Sequence, residues 1–302
     1  MFKSGYITII GKPNVGKSTL VNALVEEKVS IVSYRPQTTR DRILGIVNGK
    51  DYQIMLVDTP GIHKPKNKLS EYMMKNVESS VECVDGIVYV IACDKELDDQ
   101  EVLDIEKYAN LDAPLIVAIN KCDEARDISI ISRIDKLKDI KNIKAIIPIS
   151  AKTQKHLDDL KDEILKLLPE GERVFAEDEF TDKSTRFIVS EYIREKALKA
   201  LSDELPYGIA VIINKFEYGE NGICYIEADI VCEKQAHKAI IIGKGASKIK
   251  EISSAARRDI ERLLGQQVYL SIFVKVKEDW RDNPNLLNNL GYNKNNIDWW
   301  MF

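Results

Sequence analysis

The 302-residue chain lacks the features that mark several common classes of protein. Its five cysteines include no Cys-x-x-Cys pair and its three histidines are scattered, which argues against a disulfide scaffold and against a zinc cluster. No apolar run reaches the roughly 20 residues that cross a bilayer, and no signal-peptide pattern opens the chain. The formal net charge of −4 argues against a uniformly basic nucleic-acid coat protein. These absences predict a soluble, cytoplasmic protein.

The first half of the chain alternates short apolar strands with amphipathic helices, which is typical of an α/β fold with a mostly parallel sheet. The dipeptide Asn48-Gly49 predicts that one extra strand pairs antiparallel with its neighbour through a tight turn. The predicted strands are 6–10, 43–47, 53–57, 86–92, 115–120 and 145–149, and the predicted helices are 17–26, 69–82, 100–109, 129–137 and 157–168.

The second half has a different order of elements. After residue 168, a proline, a glycine and many acidic residues occur without periodicity, which predicts a linker at 169–184. We then predict a helix at 185–204, strands at 210–216 and 225–232, helices at 235–241 and 247–264, and a strand at 268–276. This α-β-β-α-α-β order indicates a small α+β domain at 185–278, after a larger domain at 1–168 and before a tail at 279–302.

A glycine-bracketed loop lies between the first predicted strand and the first predicted helix. Gly11 and Gly16 enclose four residues before Lys17 and Ser18, which is the pattern G-x-x-x-x-G-K-[ST]. In this pattern backbone N–H groups surround a pyrophosphate at a helix N-terminus, the lysine contacts the outer phosphates, and the hydroxyl binds Mg²⁺. A chance strand-turn-helix is the alternative, but the strand before and the helix after favour a phosphate-binding loop.

Two further polar segments would complete a magnesium site beside this loop. The sequence DTPG at 58–61 follows a predicted strand, so Asp58 is expected to act on Mg²⁺ mostly through a water and the Gly61 N–H to face the γ-phosphate. Thr39, with Thr38 as the alternative, is expected to close over the metal when a γ-phosphate is present. We expect both segments to be released on hydrolysis.

A third polar loop predicts which base is bound. The sequence NKCD at 120–123 ends a predicted strand. An aspartate carboxylate there would accept hydrogen bonds from the guanine ring N–H and amino group together, which adenine cannot donate. Asp123 would therefore select guanine, while Lys121 would lay its methylene stem along the base. Residues 150–152, after the last predicted strand, would present a backbone N–H to the guanine oxygen.

Five motifs, GKPNVGKST, QTTRD, DTPGI, NKCD and SAK, match the translation-factor-like GTPases in the same order. With the second domain and the segments RFIVSEYIREKAL and ELPYG, the chain resembles the Era-type GTPases from about residue 5 to residue 292. The resemblance implies a GTPase domain followed by an RNA-binding KH domain, which acts on small-subunit ribosomal RNA near its 3′ end during ribosome maturation. The resemblance also suggests peripheral association with the inner face of the bacterial cell membrane. We expect the protein to be a monomer.

The motifs assign the candidate site residues by number. Those expected to hold GTP or GDP are Gly11, Lys12, Pro13, Asn14, Val15, Gly16, Lys17, Ser18, Thr19, Asp58, Thr59, Pro60, Gly61, Ile62, Asn120, Lys121, Cys122, Asp123, Ser150, Ala151 and Lys152. The expected Mg²⁺ ligands are Ser18, Thr39 and Asp58, and the residues expected to act in hydrolysis are Lys17, Thr39, Gly61 and Asn14. The expected RNA contacts are Lys238, Gly243, Lys244, Gly245, Ala246, Ser247, Lys248 and Lys250.

The hydrolytic chemistry departs from that of GTPases that orient water with a glutamine. Ile62 follows DTPG and cannot hydrogen-bond to water. Hydrolysis is therefore expected to be slow unless the group that orients the attacking water comes from elsewhere. The resemblance implies that Asn14 binds a K⁺ ion in place of an arginine finger, with an ordinary loop asparagine as the alternative. Arg35, Arg40 and Arg42 are expected to be solvated or to face RNA.

The glycine loop of the second domain also departs from its family pattern. KH domains clamp four nucleotides with a G-x-x-G loop, whereas here the second required glycine is Ala246, which is less free at positive φ. The surrounding lysines predict phosphate contacts, although a basic helix is often only a solvated face. The last ten residues, with Trp299, Trp300 and Phe302, are expected to dock or fray rather than touch a membrane.

Two other functions are alternatives to a GTP-driven switch. The first is an RNA-binding structural factor in which nucleotide only stabilises the fold. Unequal RNA affinity in the GTP and GDP states would exclude it. The second is a P-loop nucleotide kinase, which the NKCD motif and the lack of a lid segment argue against.

Overall fold

The computed structural model describes residues 1–202 and 205–293, which divide into two compact units. Unit 1 comprises residues 1–30, 39–64 and 73–182, and unit 2 comprises 31–38, 65–72 and the described residues from 183 onward. Two short segments from the first half of the chain therefore belong to unit 2. The domain boundaries expected from the sequence stay a prediction.

Unit 1 contains a six-stranded sheet in the order β2-β3-β1-β4-β5-β6. Its strands are β1 Lys3–Ile10, β2 Ile43–Asn48, β3 Tyr52–Asp58, β4 Gly86–Ala92, β5 Leu115–Asn120 and β6 Ile143–Pro148. Neighbouring strands are parallel except β2 and β3, which form the antiparallel hairpin predicted from Asn48-Gly49. The predicted α/β fold class is confirmed.

Helices cover this sheet because its central strands are apolar on both faces. Every residue of β4 and β5 is buried, as expected for parallel strands between two layers. The helices of this half of the chain are α1 Lys17–Val25, α2 Lys68–Ser79, α3 Asp99–Ala109, α4 Asp127–Leu137 and α5 Leu157–Leu167. Since parallel strands end at one edge of a sheet, the loops after β1, β3, β5 and β6 meet there.

The predicted linker contains neither a helix nor a strand up to residue 184. Its residues up to Asp182 belong to unit 1 and run beside the edge strand β2. Ile46 N donates to Phe180 O at 3.0 Å, and Leu44 N donates to the Asp182 carboxylate at 3.2 Å. The segment thereby covers a strand edge that could otherwise pair with another chain.

Unit 2 has the predicted α-β-β-α-α-β order around a three-stranded sheet, β7-β8-β9. Its elements are α6 Thr185–Ala200, β7 Ala210–Tyr218, β8 Ile223–Cys232, α7 Gln235–Ile242, α8 Ser247–Leu264 and β9 Gln267–Val276. Helix α6 was expected to reach residue 204 but ends at Ala200, because Leu201 is extended, with φ −98° and ψ 151°, and buries its side chain. Residues 203 and 204 lie outside the described residues.

The two early segments of unit 2 are held by hydrogen bonds to its later residues. Arg194 in α6 donates to Thr38 O at 2.5 Å, and the neighbouring Glu195 carboxylate accepts from Val32 N at 3.1 Å. Leu69 N donates to Arg281 O at 3.0 Å. The residues just before Thr39 and just after the DTPG loop are therefore part of the second unit.

The start of the predicted tail is folded. Trp280 is fully buried and donates from Nε1 to Gly208 O at 3.0 Å, while the Tyr292 ring stacks on it with centroids 6.0 Å apart. A short helix not expected from the sequence, α9 Pro284–Asn289, lies between them in the chain. The expectation for Trp299, Trp300 and Phe302 falls outside the described residues. In the described part of the chain, no helix combines the length and hydropathy needed to cross a membrane.

Candidate functional site

The glycine-bracketed loop leaves β1 and enters α1 at the sheet edge where the other polar loops meet. Gly16 has a φ of 98°, and a Cβ atom there would lie 2.2 Å from Asn120 Nδ2. Asn14 also has positive φ, at 65°. The loop therefore needs glycine at position 16, both for its backbone conformation and for the approach of Asn120.

Lys17 folds back over this loop. Its Nζ atom donates to Gly11 O at 3.0 Å and to Lys12 O at 2.9 Å, and the residue is 6% exposed. Burial lowers the pKa of Lys17 to about 8, while the nearby Asp58 carboxylate opposes this shift. A cation held against backbone carbonyls in this way suits an incoming phosphate group.

Asp58 ends β3 and is fully buried, with neither carboxylate oxygen hydrogen-bonded. Burial raises the pKa of Asp58, and the facing hydroxyls of Ser18, Ser30 and Thr39 together with Lys17 oppose that rise. The Ser18 and Thr39 hydroxyl oxygens lie 2.8 Å apart. An unpartnered carboxylate beside two hydroxyls is a set of hard oxygen donors, so these residues fit a Mg²⁺ ion.

The structure distinguishes Thr39 from its alternative, Thr38. Thr39 reaches Ser18, whereas the Thr38 hydroxyl donates to Arg35 O at 2.6 Å within unit 2. Arg40 and Arg42 are 1% and 3% exposed, so the expectation that they are solvated is wrong. Both side chains are buried instead, and Arg42 Nη1 donates to the Ser79 hydroxyl at 3.4 Å.

The DTPG loop packs against the phosphate-binding loop. Ile62 N donates to Gly11 O at 3.0 Å, and the Thr59 hydroxyl donates to Ile9 O at 2.7 Å. These bonds place Gly61 next to the phosphate-binding loop. The Ile62 side chain packs against the hydrophobic core around β4 and β5. Because this side chain is apolar, it cannot hydrogen-bond to a water.

Asn120 cross-links the loops around the expected base. Its Nδ2 donates to Val15 O at 2.9 Å, and its Oδ1 accepts from Ala151 N at 2.9 Å. The Ala151 N–H, one of the candidate donors to the guanine oxygen, donates to Asn120 in this structure. The Ser150 hydroxyl donates to Asp123 Oδ1 at 2.6 Å, which orients the carboxylate expected to select guanine.

Three lysines of the predicted site bind carboxylates. Lys121 lies 2.8 Å from Asp94 and Lys152 lies 3.2 Å from Glu124. Lys12 lies 2.7 Å from Asp98, whose pKa it lowers, and 3.5 Å from the buried Glu101, whose pKa burial raises. Their charges are therefore compensated within unit 1, which sequence spacing gave no means of predicting.

The glycine loop of unit 2 joins α7 to α8. Gly243 has a φ of 73°, and a Cβ there would lie 2.8 Å from Lys248 Cβ, so the position requires glycine. Ala246 adopts the left-handed conformation, with φ 61° and ψ 23°. Lys244 and Lys250 are exposed, whereas Lys248 lies 3.0 Å from Glu251. The other predicted contacts occupy the same region: Lys238 in α7, Gly245 in the loop and Ser247 at the start of α8.

Comparison with known proteins places these sites in a family. A model described as "50S ribosome-binding GTPase" matches residues 6–121, and a KH domain model matches residues 204–281. GTPase Era of Clostridium botulinum (strain Okra) and of Clostridium novyi (strain NT) are each 48% identical to the chain, covering 97% of it and 99% of each relative. The chain belongs to the Era family of GTPases.

Solved structures of Era have the same fold as this Era-family chain. One holds Era with MgGDPNP and nucleotides 1506–1542 of 16S ribosomal RNA, at 39% identity and a TM-score of 0.93, covering 97% of this chain and 99% of that one. Another is a point variant of Aquifex aeolicus Era with GDP·AlF4⁻, also at 39% and 0.93, covering 96% and 99%. The predicted family and the GTPase-plus-KH fold are confirmed.

Proposed function

We propose that this chain is a GTP-hydrolysing switch that binds small-subunit ribosomal RNA near its 3′ end and assists assembly of the small ribosomal subunit. The observation that carries the proposal is the likeness, at a TM-score of 0.93 over 97% of the chain, to Era bound to MgGDPNP and 16S ribosomal RNA. The test is GTP hydrolysis with and without a 3′-end fragment of small-subunit ribosomal RNA. Equal rates, together with equal RNA affinity in the GTP and GDP states, would contradict the proposal.

In unit 1 the proposed reaction depends mainly on positioning and charge. Mg²⁺, held by Ser18, Thr39 and Asp58, would supply positive charge to the phosphates. The Lys17 ammonium group would release Gly11 O and Lys12 O and bind phosphate oxygens instead. The Gly61 N–H would donate to the γ-phosphate. Lys17→Ala should abolish nucleotide uptake, and comparable affinity for ATP and GTP would contradict the assignment of the base site.

Hydrolysis without assistance should be slow. With an isoleucine at position 62, no side chain there orients the attacking water, and unassisted GTPases turn over at roughly 10⁻⁴ to 10⁻² s⁻¹. We propose that Asn14, at positive φ in the phosphate-binding loop, binds K⁺ and so supplies the missing charge. Replacing K⁺ by Na⁺ should slow turnover, and equal rates would remove Asn14 from the mechanism.

In unit 2 the glycine loop is proposed to clamp the RNA backbone. Lys238, Lys244, Lys248 and Lys250 supply phosphate contacts, and each one lost should reduce the slope of log affinity against log salt by about one. Gly243→Asp should weaken RNA binding sharply, because it adds a clash with Lys248 and a negative charge. A Gly243→Asp variant with unchanged RNA affinity would contradict RNA binding at the glycine loop.

One structural observation favours a switch over a structural factor that merely binds nucleotide. Thr39 lies in unit 1 beside Ser18, while the preceding residues 31–38 belong to unit 2, where Arg194 holds Thr38 O. A change at Thr39 on GTP hydrolysis therefore acts directly on a segment of the RNA-binding unit. Arg194→Ala should reduce the difference in RNA affinity between the GTP and GDP states while leaving GDP affinity unchanged.

The proposed binding of small-subunit ribosomal RNA determines the expected compartment and partners. A factor that binds small-subunit ribosomal RNA works in the bacterial cytoplasm, where we expect it as a monomer that associates transiently with the small subunit. Peripheral association with the inner face of the cell membrane stays a proposal. Flotation of the purified protein with anionic vesicles would test it, and recovery only in the unbound fraction would contradict it.

A further inference from the structure

A serine that no motif contains lies beside the expected magnesium ligands. Ser30 is fully buried in unit 1, and its hydroxyl oxygen has no hydrogen-bond partner. The hydroxyl faces the Asp58 carboxylate, whose two oxygens are also unpartnered. Leaving a buried donor and a buried acceptor unpaired costs free energy, so such groups in a folded protein call for an explanation.

The backbone around Ser30 is held by one side chain. Asn22 Nδ2 donates to Ser30 O at 2.7 Å, and Asn22 Oδ1 accepts from Val29 N at 3.1 Å and from Ser30 N at 2.9 Å. Asn22 follows Ser18 by four residues in α1, so the two side chains share one face of the helix. The helix that supplies a metal ligand thus also fixes the position of Ser30.

This arrangement differs from that of a serine that only fills space. Three hydrogen bonds hold the backbone of residues 29 and 30, yet the hydroxyl takes part in none of them. In Ser80, another fully buried serine of unit 1, the hydroxyl donates to Val77 O at 2.7 Å. The Ser30 hydroxyl therefore takes no part in the local backbone bonds and lies beside the Asp58 carboxylate, where it opposes the rise in pKa that burial causes.

We infer that Ser30 is a positioning residue of the magnesium site, which donates its hydroxyl hydrogen to the Asp58 carboxylate when the ion is held, and that Asn22 sets its position. Groups that orient a metal ligand in this way commonly change metal affinity by about 10-fold to 100-fold when removed. The inference rests on the proposed role of Ser18, Thr39 and Asp58 in holding Mg²⁺. It adds two residues to that site that the nucleotide motifs do not include.

The test measures how Mg²⁺ controls release of a fluorescent GDP analogue from the full chain. Ser30→Ala should raise the Mg²⁺ concentration for half-maximal retention about tenfold. With excess EDTA the release rate of Ser30→Ala should equal that of the unchanged protein, because the hydroxyl acts only through the metal site. A residue with a purely structural role would change both measurements.

Ser80→Ala is the matched control. It removes a hydroxyl that is hydrogen-bonded, so it should lower the melting temperature. The Mg²⁺ concentration for half-maximal retention should not change. Ser30→Ala should melt at the same temperature as the unchanged, nucleotide-free protein or above it, because it removes an unpaired buried group. Equal Mg²⁺ midpoints for Ser30→Ala and the unchanged protein would overturn the inference.

Asn22→Ala tests the second half of the inference and separates it from the proposed function. It should shift the Mg²⁺ midpoint in the same direction as Ser30→Ala, and the double variant should shift it by less than the product of the two single effects. Independent effects would overturn the role of Asn22. If GDP retention by the unchanged protein did not depend on Mg²⁺ at all, the proposed metal site itself would fail instead.

Discussion

The Ser150 hydroxyl donates to Asp123 Oδ1 at 2.6 Å, and Ser150 itself is fully buried. Its oxygen also accepts from Thr153 N at 3.1 Å, so the hydroxyl hydrogen is directed to the carboxylate. The residue that follows β6 therefore orients the residue that follows β5. In the proposed guanine site, a side chain of the SAK motif therefore orients the carboxylate of NKCD.

Ser150→Ala should weaken GDP binding about 10-fold to 100-fold, because a hydrogen bond to a charged group contributes about 1.5–3 kcal/mol and Asp123 would lose its orientation. Calorimetric titration with GDP measures the effect. Asp123→Asn provides the control: on that background Ser150→Ala should add little, since the two side chains act as one unit. A Ser150→Ala protein with unchanged GDP affinity would show that Asp123 is oriented by other means.

Lys17 should make nucleotide binding depend on pH. Its pKa is lowered to about 8 in the nucleotide-free protein, and bound phosphate anions favour the protonated form. Above that pH the free protein has lost this proton and must take one up on binding. GDP affinity should therefore fall by up to about tenfold per pH unit above 8 and stay flat below it.

Calorimetry in two buffers of different ionisation enthalpy checks this linkage. Proton uptake should be absent near neutral pH, where Lys17 is protonated in both states, and should appear above the pKa of the free protein. The measurements belong below the pH at which the guanine ring itself ionises. Uptake that does not change with pH would contradict a lowered pKa for Lys17.

A local pattern was enough to predict the glycine-bracketed loop between β1 and α1. Gly11, Gly16 and Lys17 form one short motif between a strand and a helix, so their spacing alone indicates their role. The role of Asn120 could not be read in the same way. Asn120 reaches Val15 O and Ala151 N because the sheet order β1-β4-β5-β6 brings the loops after β1, β5 and β6 together. Strand order is not part of any local pattern.

The buried arginines show a second limit of sequence reasoning. Arg40 and Arg42 lie in and just after the polar segment PQTTRD, and arginine is rarely fully buried, so they were expected to be solvated or to face RNA. In the structure both are buried in unit 1. Likewise, nothing in the spacing of Asn22 and Ser30 indicated that one side chain would hold the backbone of the other. Such relationships arise from tertiary packing, which no local pattern in the sequence encodes.

The two cysteines beside the base site should be unreactive at neutral pH. Cys122 in NKCD and Cys93 after β4 have their sulfur atoms 3.9 Å apart, and burial raises the pKa of both thiols, that of Cys122 to about 12. Since the thiolate is the reactive form, iodoacetamide should modify the exposed Cys83 first. Peptide mass mapping should show Cys122 modification rising about tenfold per pH unit. Rapid Cys122 modification near neutral pH would contradict the raised pKa.

Ala246 should be a strained position in the glycine loop of unit 2. Its φ of 61° lies in the left-handed region, which costs a residue with a Cβ about 1–2 kcal/mol. Glycine avoids that cost but loses about 0.5–1 kcal/mol through the greater freedom of the unfolded chain. Ala246→Gly should therefore stabilise unit 2 by about 0.5–1 kcal/mol, measured by urea unfolding followed through the buried Trp280.

Ala255→Gly, in the interior of α8, is the control for this substitution. It makes the same chemical change at a helical position, so it should destabilise unit 2 by about 1 kcal/mol. Because Ala246→Gly leaves every lysine around the loop in place, the salt dependence of RNA binding should not change. If both substitutions destabilised unit 2 equally, Ala246 would not be strained, and its departure from the G-x-x-G pattern would carry no cost to the fold.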